Sequence, residues 1–244
     1  MAGHNKWSKV KHVKGALDAK RGKIFSKLSR ELTVAAKIGG GDADLNARLR
    51  MVLLKAKQAN MPADTIDRAV KKGVGGGEGT DFEDLVYEIY APEGVAILVE
   101  ISTDNKNRTA AEIRHILSKN GGSIATSGAV TRLFHRKGQM IISREGADED
   151  KIMEVALEAG AEDFRAEPEG FEIITEPSEF EAVHKAVETA GISCDSASVT
   201  CLPDSLVAIS PEAAGKISKI IELIDEHDDV KEVYTNADFP QEST

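Results

Sequence analysis

The chain has 244 residues, 41% of them hydrophobic and 30% charged, with 31 Lys and Arg against 41 Asp and Glu for a formal net charge of −10. That apolar share can bury a sizeable core and excludes a disordered or fibrous chain, and a length prior of roughly 150 residues per domain allows one or two domains. No apolar run approaches the roughly 18 residues that cross a bilayer, the opening residues Met1 to Lys6 hold no hydrophobic signal region, and two cysteines, Cys194 and Cys201, are too few to staple a fold; the expected setting is the cytoplasm, with both thiols free.

Along the chain, Lys6, Lys9, Lys11, Lys14, Lys20, Arg21 and Lys23 interleave with Trp7, Val10, Val13 and Leu17 without a clean period, as in an extended or partly helical arm. From Phe25 the spacing turns helical: Phe25, Leu28, Leu32 and Ala35/Ala36 form a stripe that leaves Lys23, Lys27, Arg30 and Lys37 outside it, and Gly39-Gly40-Gly41 ends the helix. A second helix is expected from about Asp44 to Asn60, and a third starts with Pro62 as its first residue and stops at Gly73. Gly73 to Gly79 reads as a flexible linker, which predicts that the flanking domains move.

Beyond the linker, strands and helices alternate. Strands are expected at 85–91, 95–102 and 129–134 around a helix at 106–119. A β-α-β-β-α-β block follows, with strands at 139–143, 162–167, 171–175 and 196–202 and helices at 148–159 and 178–190, which is a ferredoxin-like unit. A strand at 206–209, a helix at 211–226 and a strand at 230–234 close the chain. The expected fold is therefore multidomain α+β: residues 1–80 form the basic arm, a three-helix domain and the linker, residues 81–134 with 205–244 form one discontinuous α+β domain, and residues 135–204 form a ferredoxin-like domain inserted in it.

Charge is segregated along this order. Residues 1–80 carry 17 Lys and Arg against 7 Asp and Glu, a net of +10, whereas residues 81–244 carry 14 against 34, a net of −20. A basic module attracts polyanions that an acidic body repels, so phosphate-backbone binding is confined to the first third. Trp7, between Lys6 and Lys9, either stacks on an unpaired base or anchors the arm to the helices. In the segment Thr103 to Thr109, where a strand hands over to a helix, Lys106 and Arg108 beside free amides would hold a phosphate, or Thr103, Asp104 or Asn105 simply caps the helix. Arg132, His135, Arg136 and Lys137 make a modest basic patch.

The patterns HExxH, GxSxG and GxxxxGK[ST] are absent, and the glycine run fits no dinucleotide fingerprint. Cys194 and Cys201 lack the partners of a zinc site, and the acidic cluster Asp225, Glu226, His227, Asp228 and Asp229 lacks the spacing of a cation loop and reads as a solvated helix end. The expectation is no enzyme, no metal, no cofactor, no small-molecule substrate and no membrane.

Four long segments, AGHNKWSKVKHVKGALDAKRGKIFSKLSREL at 2–32, KAKQANMPADTIDRAVKKG at 55–73, GVAILVEISTDNKNRTAAEIRH at 94–115 and GAVTRLFHRKG at 128–138, resemble the YebC family, bacterial relatives of a mitochondrial translational activator of cytochrome c oxidase. Three positions depart from the family's pattern, which has YEGYGP where this chain has Ile89 and Ala91, and Ser where it has Asn5. The resemblance implies a cytoplasmic, non-enzymatic, three-domain regulator, described both as a DNA-binding transcriptional regulator and as a ribosome-directed factor that relieves stalling at proline-rich stretches. Carried onto this chain, it implies contacts from the basic arm, Lys6, Trp7, Lys9, Lys11, Lys14, Lys20, Arg21 and Lys23, continued by Lys27 and Arg30, and from the loop residues Asn105, Lys106 and Arg108. The favoured partner is ribosomal RNA, with DNA as the rival and a protein-interaction scaffold as the outside alternative.

Overall fold

A computed structural model describes residues 19–75 and 82–240. The basic arm from Lys6 to Lys14 and most of the glycine run lie outside the described residues. The first helix, α1 (Ala19–Gly39), packs with α2 (Ala47–Gln58) and α3 (Ala63–Val74) around Leu28, Leu32, Ala35, Leu49, Val52, Ala56, Met61 and Ala69. Buried Asn46 sets the corner between α1 and α2: its Oδ1 accepts from the Leu49 amide as N-cap, while its Nδ2 donates to the Ala35 and Gly40 carbonyls. The approach of α3 to α1 depends on Gly73, where a Cβ would stand 2.4 Å from the Thr33 carbonyl oxygen. Pro62 is the N-cap of α3, one position before the expected first helical residue.

The strands and helices that follow are β1 (Glu83–Tyr90), β2 (Ala96–Thr103), α4 (Lys106–Asn120), β3 (Ser123–Ile124), β4 (Phe134–Ser143), α5 (Glu149–Glu158), β5 (Asp163–Glu167), β6 (Gly170–Thr175), α6 (Phe180–Thr189), β7 (Ser196–Pro203), β8 (Val207–Ala208), α7 (Pro211–Asp225), β9 (Val230–Thr235) and β10 (Ala237–Asp238). The fold is α+β, with three N-terminal helices ahead of two four-stranded sheets. By internal contacts His135–Leu202 forms one compact unit, and the described residues on either side of it form a second.

In the His135–Leu202 unit the strand order β5-β6-β4-β7 with two helices is the ferredoxin-like arrangement expected from sequence. Its core is Met140, Ile142, Ile152, Ala156, Phe171, Ile173, Phe180, Val183, Val187 and Ala197. The other unit holds the sheet β3-β1-β2-β9, in which β2 pairs antiparallel with both β1 and β9. Ile97, Val99 and Ile101 of β2 meet Ile113 and Leu117 of α4 and Ile217, Ile220 and Ile224 of α7, so two helices cover one face. Ile89 and Ala91, the departures from the family pattern, are buried members of this core.

The strand expected at 129–134 is instead a turn that leads into β4. Buried Glu88 accepts the Gly128 and Val130 amides at 2.6 Å and the Thr131 amide at 2.7 Å, which removes those donors from any ladder. Burial alone would raise the pKa of Glu88, but the three amides outweigh it and hold the carboxyl below its ordinary range.

Candidate nucleic-acid interface

The cations of the helical module divide by where they point. Lys27 donates to the carbonyl oxygen of Asp225, with the Asp225 carboxylate 3.4 Å away. Arg48 pairs with Asp84 at 2.7 Å and Lys55 with Glu232 at 2.8 Å. Each of these pairs joins α1 or α2 to β1, α7 or β9.

Asp229 is the strongest junction, its side chain only 3% exposed. Its Oδ1 accepts from Arg30 Nη1 at 2.9 Å; its Oδ2 accepts from Arg108 Nη2 at 2.8 Å, Thr109 Oγ1 at 2.7 Å and Thr103 Oγ1 at 3.0 Å. Arg30 Nη1 also reaches the Asp228 carbonyl at 2.9 Å and the Ser102 carbonyl at 3.3 Å, and its guanidinium lies 5.0 Å from the centroid of the Phe82 ring. Burial disfavours the charged Asp229, yet hydrogen bonds from Arg108, Thr109, Thr103 and Arg30 outweigh it and pull the pKa down to about 2. The Asp229 amide donates to His227 Nδ1 at 3.1 Å, which places the ring proton on Nε2, 2.7 Å from Glu112.

The acidic cluster is a solvated helix end at Asp225, Glu226 and Asp228, which are exposed, but not at Asp229, which is buried. Asp225 and Asp229 are the counter-ions of α1, and the cation Lys27 offsets the acid that the C-terminus of α7 otherwise disfavours. Composition alone left this cluster unexplained because the side-chain partners of Asp225 and Asp229 lie between 120 and 199 positions earlier in the chain.

The segment at 103–109 is a cap. The Asn105 Oδ1 accepts from the Arg108 amide at 3.1 Å, its own amide donates to Thr103 Oγ1 at 3.0 Å, and the Arg108 guanidinium binds both Asp104 and Asp229. Lys106 pairs with Glu83 at 2.7 Å. Of the residues named from sequence, Asp229 thus brings Arg30 and Arg108 together, Lys27 sits nearby on α1, Lys23 is exposed, Lys20 and Arg21 stand in the first turn of α1, and Lys6, Trp7, Lys9, Lys11 and Lys14 lie outside the described residues. Within the patch after the glycine turn, Lys137 pairs with Glu162 and Glu176.

A second charged cluster lies where α2 meets β9. Glu100 stands directly opposite Glu232 in the β2–β9 register, and half-buried Glu31 on α1 feels both. Burial raises the Glu31 pKa; Lys55 pulls against it, and Glu232 pushes with it. Burial would lower the Lys55 pKa, but Glu232 and Glu31 outweigh it and raise it. Burial also pushes the Cys194 thiol up to about 12, with Glu188 and Asp195 adding to the effect, so it stays protonated and unreactive near neutrality. Among the described residues no group of three or more His, Cys, Asp or Glu is arranged to hold a metal, and no helix is long and apolar enough to cross a membrane.

Two family profiles match the chain: the TACO1/YebC protein N-terminal domain over residues 5–76, and the TACO1/YebC second and third domain over residues 82–237. The chain belongs to the YebC family. A probable transcriptional regulatory protein of Desulforapulum autotrophicum is 53% identical over 242 residues, covering 99% of this chain and 98% of that one. A protein of the same description from Treponema pallidum is 48% identical over 242 residues, covering 99% of both. The crystal structure of a conserved hypothetical protein from Aquifex aeolicus, 44% identical, matches with a TM-score of 0.82 over 93% of each chain. In this YebC-family chain, Lys27, Arg30, Arg48 and Lys55 belong to the first profile and their acidic partners Asp225, Asp229, Asp84 and Glu232 to the second.

Proposed function

We propose that this YebC-family chain is a non-enzymatic, nucleic-acid-binding regulator of gene expression that acts at translation, binding ribosomal RNA and relieving stalled ribosomes. Charge segregation carries the reading: a net of +10 over residues 1–80 against −20 over the rest. Even after Lys27, Arg30, Arg48 and Lys55 have been matched with acids, Lys23, Lys57, Arg68, Lys71 and Lys72 remain exposed and without an ion pair among the described residues. Those cations extend the contact proposed for the arm, Lys6, Trp7, Lys9, Lys11, Lys14, Lys20, Arg21 and Lys23. Lys27, Arg30, Asn105, Lys106 and Arg108 join the contact only as far as their acidic and capping partners release them. The accompanying domain division is 1–80, 81–134 with 205–244, and 135–204.

Ultraviolet crosslinking of the tagged protein in cells, with sequencing of RNA and DNA from the same sample, tests this. Enrichment of large-subunit rRNA supports the translational reading; discrete promoter DNA with rRNA at background replaces it with a DNA-binding transcriptional regulator, the reading that the relatives' names favour. In vitro, an arm engaging about six phosphates gives a slope of log affinity against log salt of roughly −4 on single strands, and a flat response overturns the electrostatic contact. If replacing Lys9, Lys11, Lys14 and Lys20 together by Glu leaves gel-shift binding unchanged, the protein-interaction scaffold returns.

A further inference from the structure

A groove of about 600 Å3 opens between α1 and α3, within the volume range of pockets that hold small organic ligands. One wall carries Arg68 and Lys72, an i, i+4 pair on α3; the other carries Ser26 and Ser29 of α1; Phe25 and Phe82 supply its aromatic surface. The cations here differ from those on the face toward the sheet. Among the described residues Arg68 donates only to its own helix, from Nε to the Asp64 carbonyl at 3.0 Å and from Nη2 to Thr65 Oγ1 at 3.3 Å, and Lys72 has no ion pair. Two like charges one turn apart repel, so the apo helix holds an unfavourable pair that an anion between them would relieve. Ser26 is exposed and Ser29 half-buried on this wall, and a serine hydroxyl can donate to an oxygen ligand.

We infer that this groove binds a segment of single-stranded RNA, with a phosphate between Arg68 and Lys72 and an unpaired base against Phe82. The inference rests on the nucleic-acid reading above and adds to it the place and the form of the ligand. Cations without an acidic partner among the described residues match a phosphate, and aromatic rings beside them match the π-face of a base. A duplex hides its base faces in its own stack and cannot offer one to Phe82. Arg30, also on the groove, is held by Asp229 and the Asp228 and Ser102 carbonyls, so its charge is already matched, and its guanidinium lies 5.0 Å from the Phe82 ring centroid.

The test is fluorescence anisotropy of labelled oligouridylate with the full chain, over a range of salt concentrations. The double variant Arg68→Ala/Lys72→Ala is expected to bind about tenfold more weakly, with a salt slope shallower by about 0.7, the value for one single-strand phosphate. The control Lys119→Ala/Lys219→Ala removes the same charge from exposed positions on α4 and α7, outside both the groove and the contact proposed for the helical module, and stays within about twofold of the wild type. Two variants keep the charge: Phe82→Leu is expected to lose at least about fivefold, and Ser26→Trp, at an exposed position, obstructs the groove and also weakens binding. Equal losses in both double variants, or none in either, overturn the groove while leaving nucleic-acid binding intact. Failure of the wild type to bind any oligonucleotide overturns the parent reading instead. Oligothymidylate bound as tightly and as sensitively to the same variants overturns the assignment to RNA, and displacement of the strand by uridine monophosphate at comparable concentration overturns the strand in favour of a mononucleotide.

Discussion

The inward and outward faces of the helical module carry the same residue types for different ends. Lys27, Arg30, Arg48 and Lys55 reach acids of the α7–β9 corner and β1, whereas Lys23, Lys57, Arg68, Lys71 and Lys72 are exposed and without an ion pair among the described residues. The first set holds the chain to itself, and the second is the set proposed to meet a polyanion. Counting lysines and arginines overstates the binding surface, because several of those charges are neutralised where the module meets the sheet. Within the first set the energies differ as well: Asp229 is buried under four side-chain donors, while Asp225 is 62% exposed beside Lys27.

The largest expected effect is at the buried junction. Asp229→Asn removes the charge that Arg30 and Arg108 share and should cost roughly 3 kcal/mol in urea unfolding, since Arg30 loses its counter-ion in a partly buried site and Arg108 keeps only Asp104. A loss below about 1 kcal/mol would show the network to be no stronger than a surface pair. The same carboxylate sets an acid limb. Its folded pKa of about 2 lies below the ordinary 3.8, so the unfolded chain takes up the proton more readily. The stabilisation is complete above about pH 4 and is lost as pH falls through about 2. Glu88, also held below its ordinary range, contributes with the same sign, so Asp229→Asn should flatten the acid limb without abolishing it.

Next in size is the packing that sets up both faces. Gly73→Ala forces a methyl group against the Thr33 carbonyl and should cost about 2 kcal/mol by thermal melting, as α3 is pushed off α1. It should also weaken the oligouridylate binding proposed for the groove, whereas Asp229→Asn at a temperature where it stays folded should not.

Smaller effects separate exposed pairs from buried ones. Lys27→Ala should cost less than about 1 kcal/mol and less still in high salt, because its partner stands largely in solvent. Glu31→Gln is expected to stabilise the fold by up to about 1 kcal/mol near neutral pH, since it removes one of three carboxylates gathered around Lys55, two of which face each other across β2 and β9. A destabilised Glu31→Gln protein would mean that the Lys55 attraction outweighs both burial and the neighbouring acids.

Much of the architecture was legible from periodicity. The helical stripe from Phe25 to Ala36, the stop at the triple glycine and the β-α-β-β-α-β spacing of the inserted block all correspond to observed elements, because each is a local pattern that one buried face imposes. The segment 129–134 misled for the opposite reason. Val130 and Phe134 are buried as a strand would bury them, but Glu88, some 40 positions earlier, takes the backbone donors and makes a turn. The two-residue strands β3, β8 and β10 are too short to carry a period at all. Of the charged sites, Lys106 and Arg108 were legible as cations near a helix start, and their use was not: Glu83, Asp104 and Asp229 already hold them.

By itself the sequence determined the family, the order of most helices and strands, and the separation of a basic front from an acidic remainder, since residue type, spacing and net charge are properties of the chain read in one dimension. Only the tertiary structure decided which cations are spent on folding and which remain for a ligand. Pairing energy depends on separation in space and on burial, and contacts such as Arg30 with Asp229 join residues 199 positions apart that no local pattern connects.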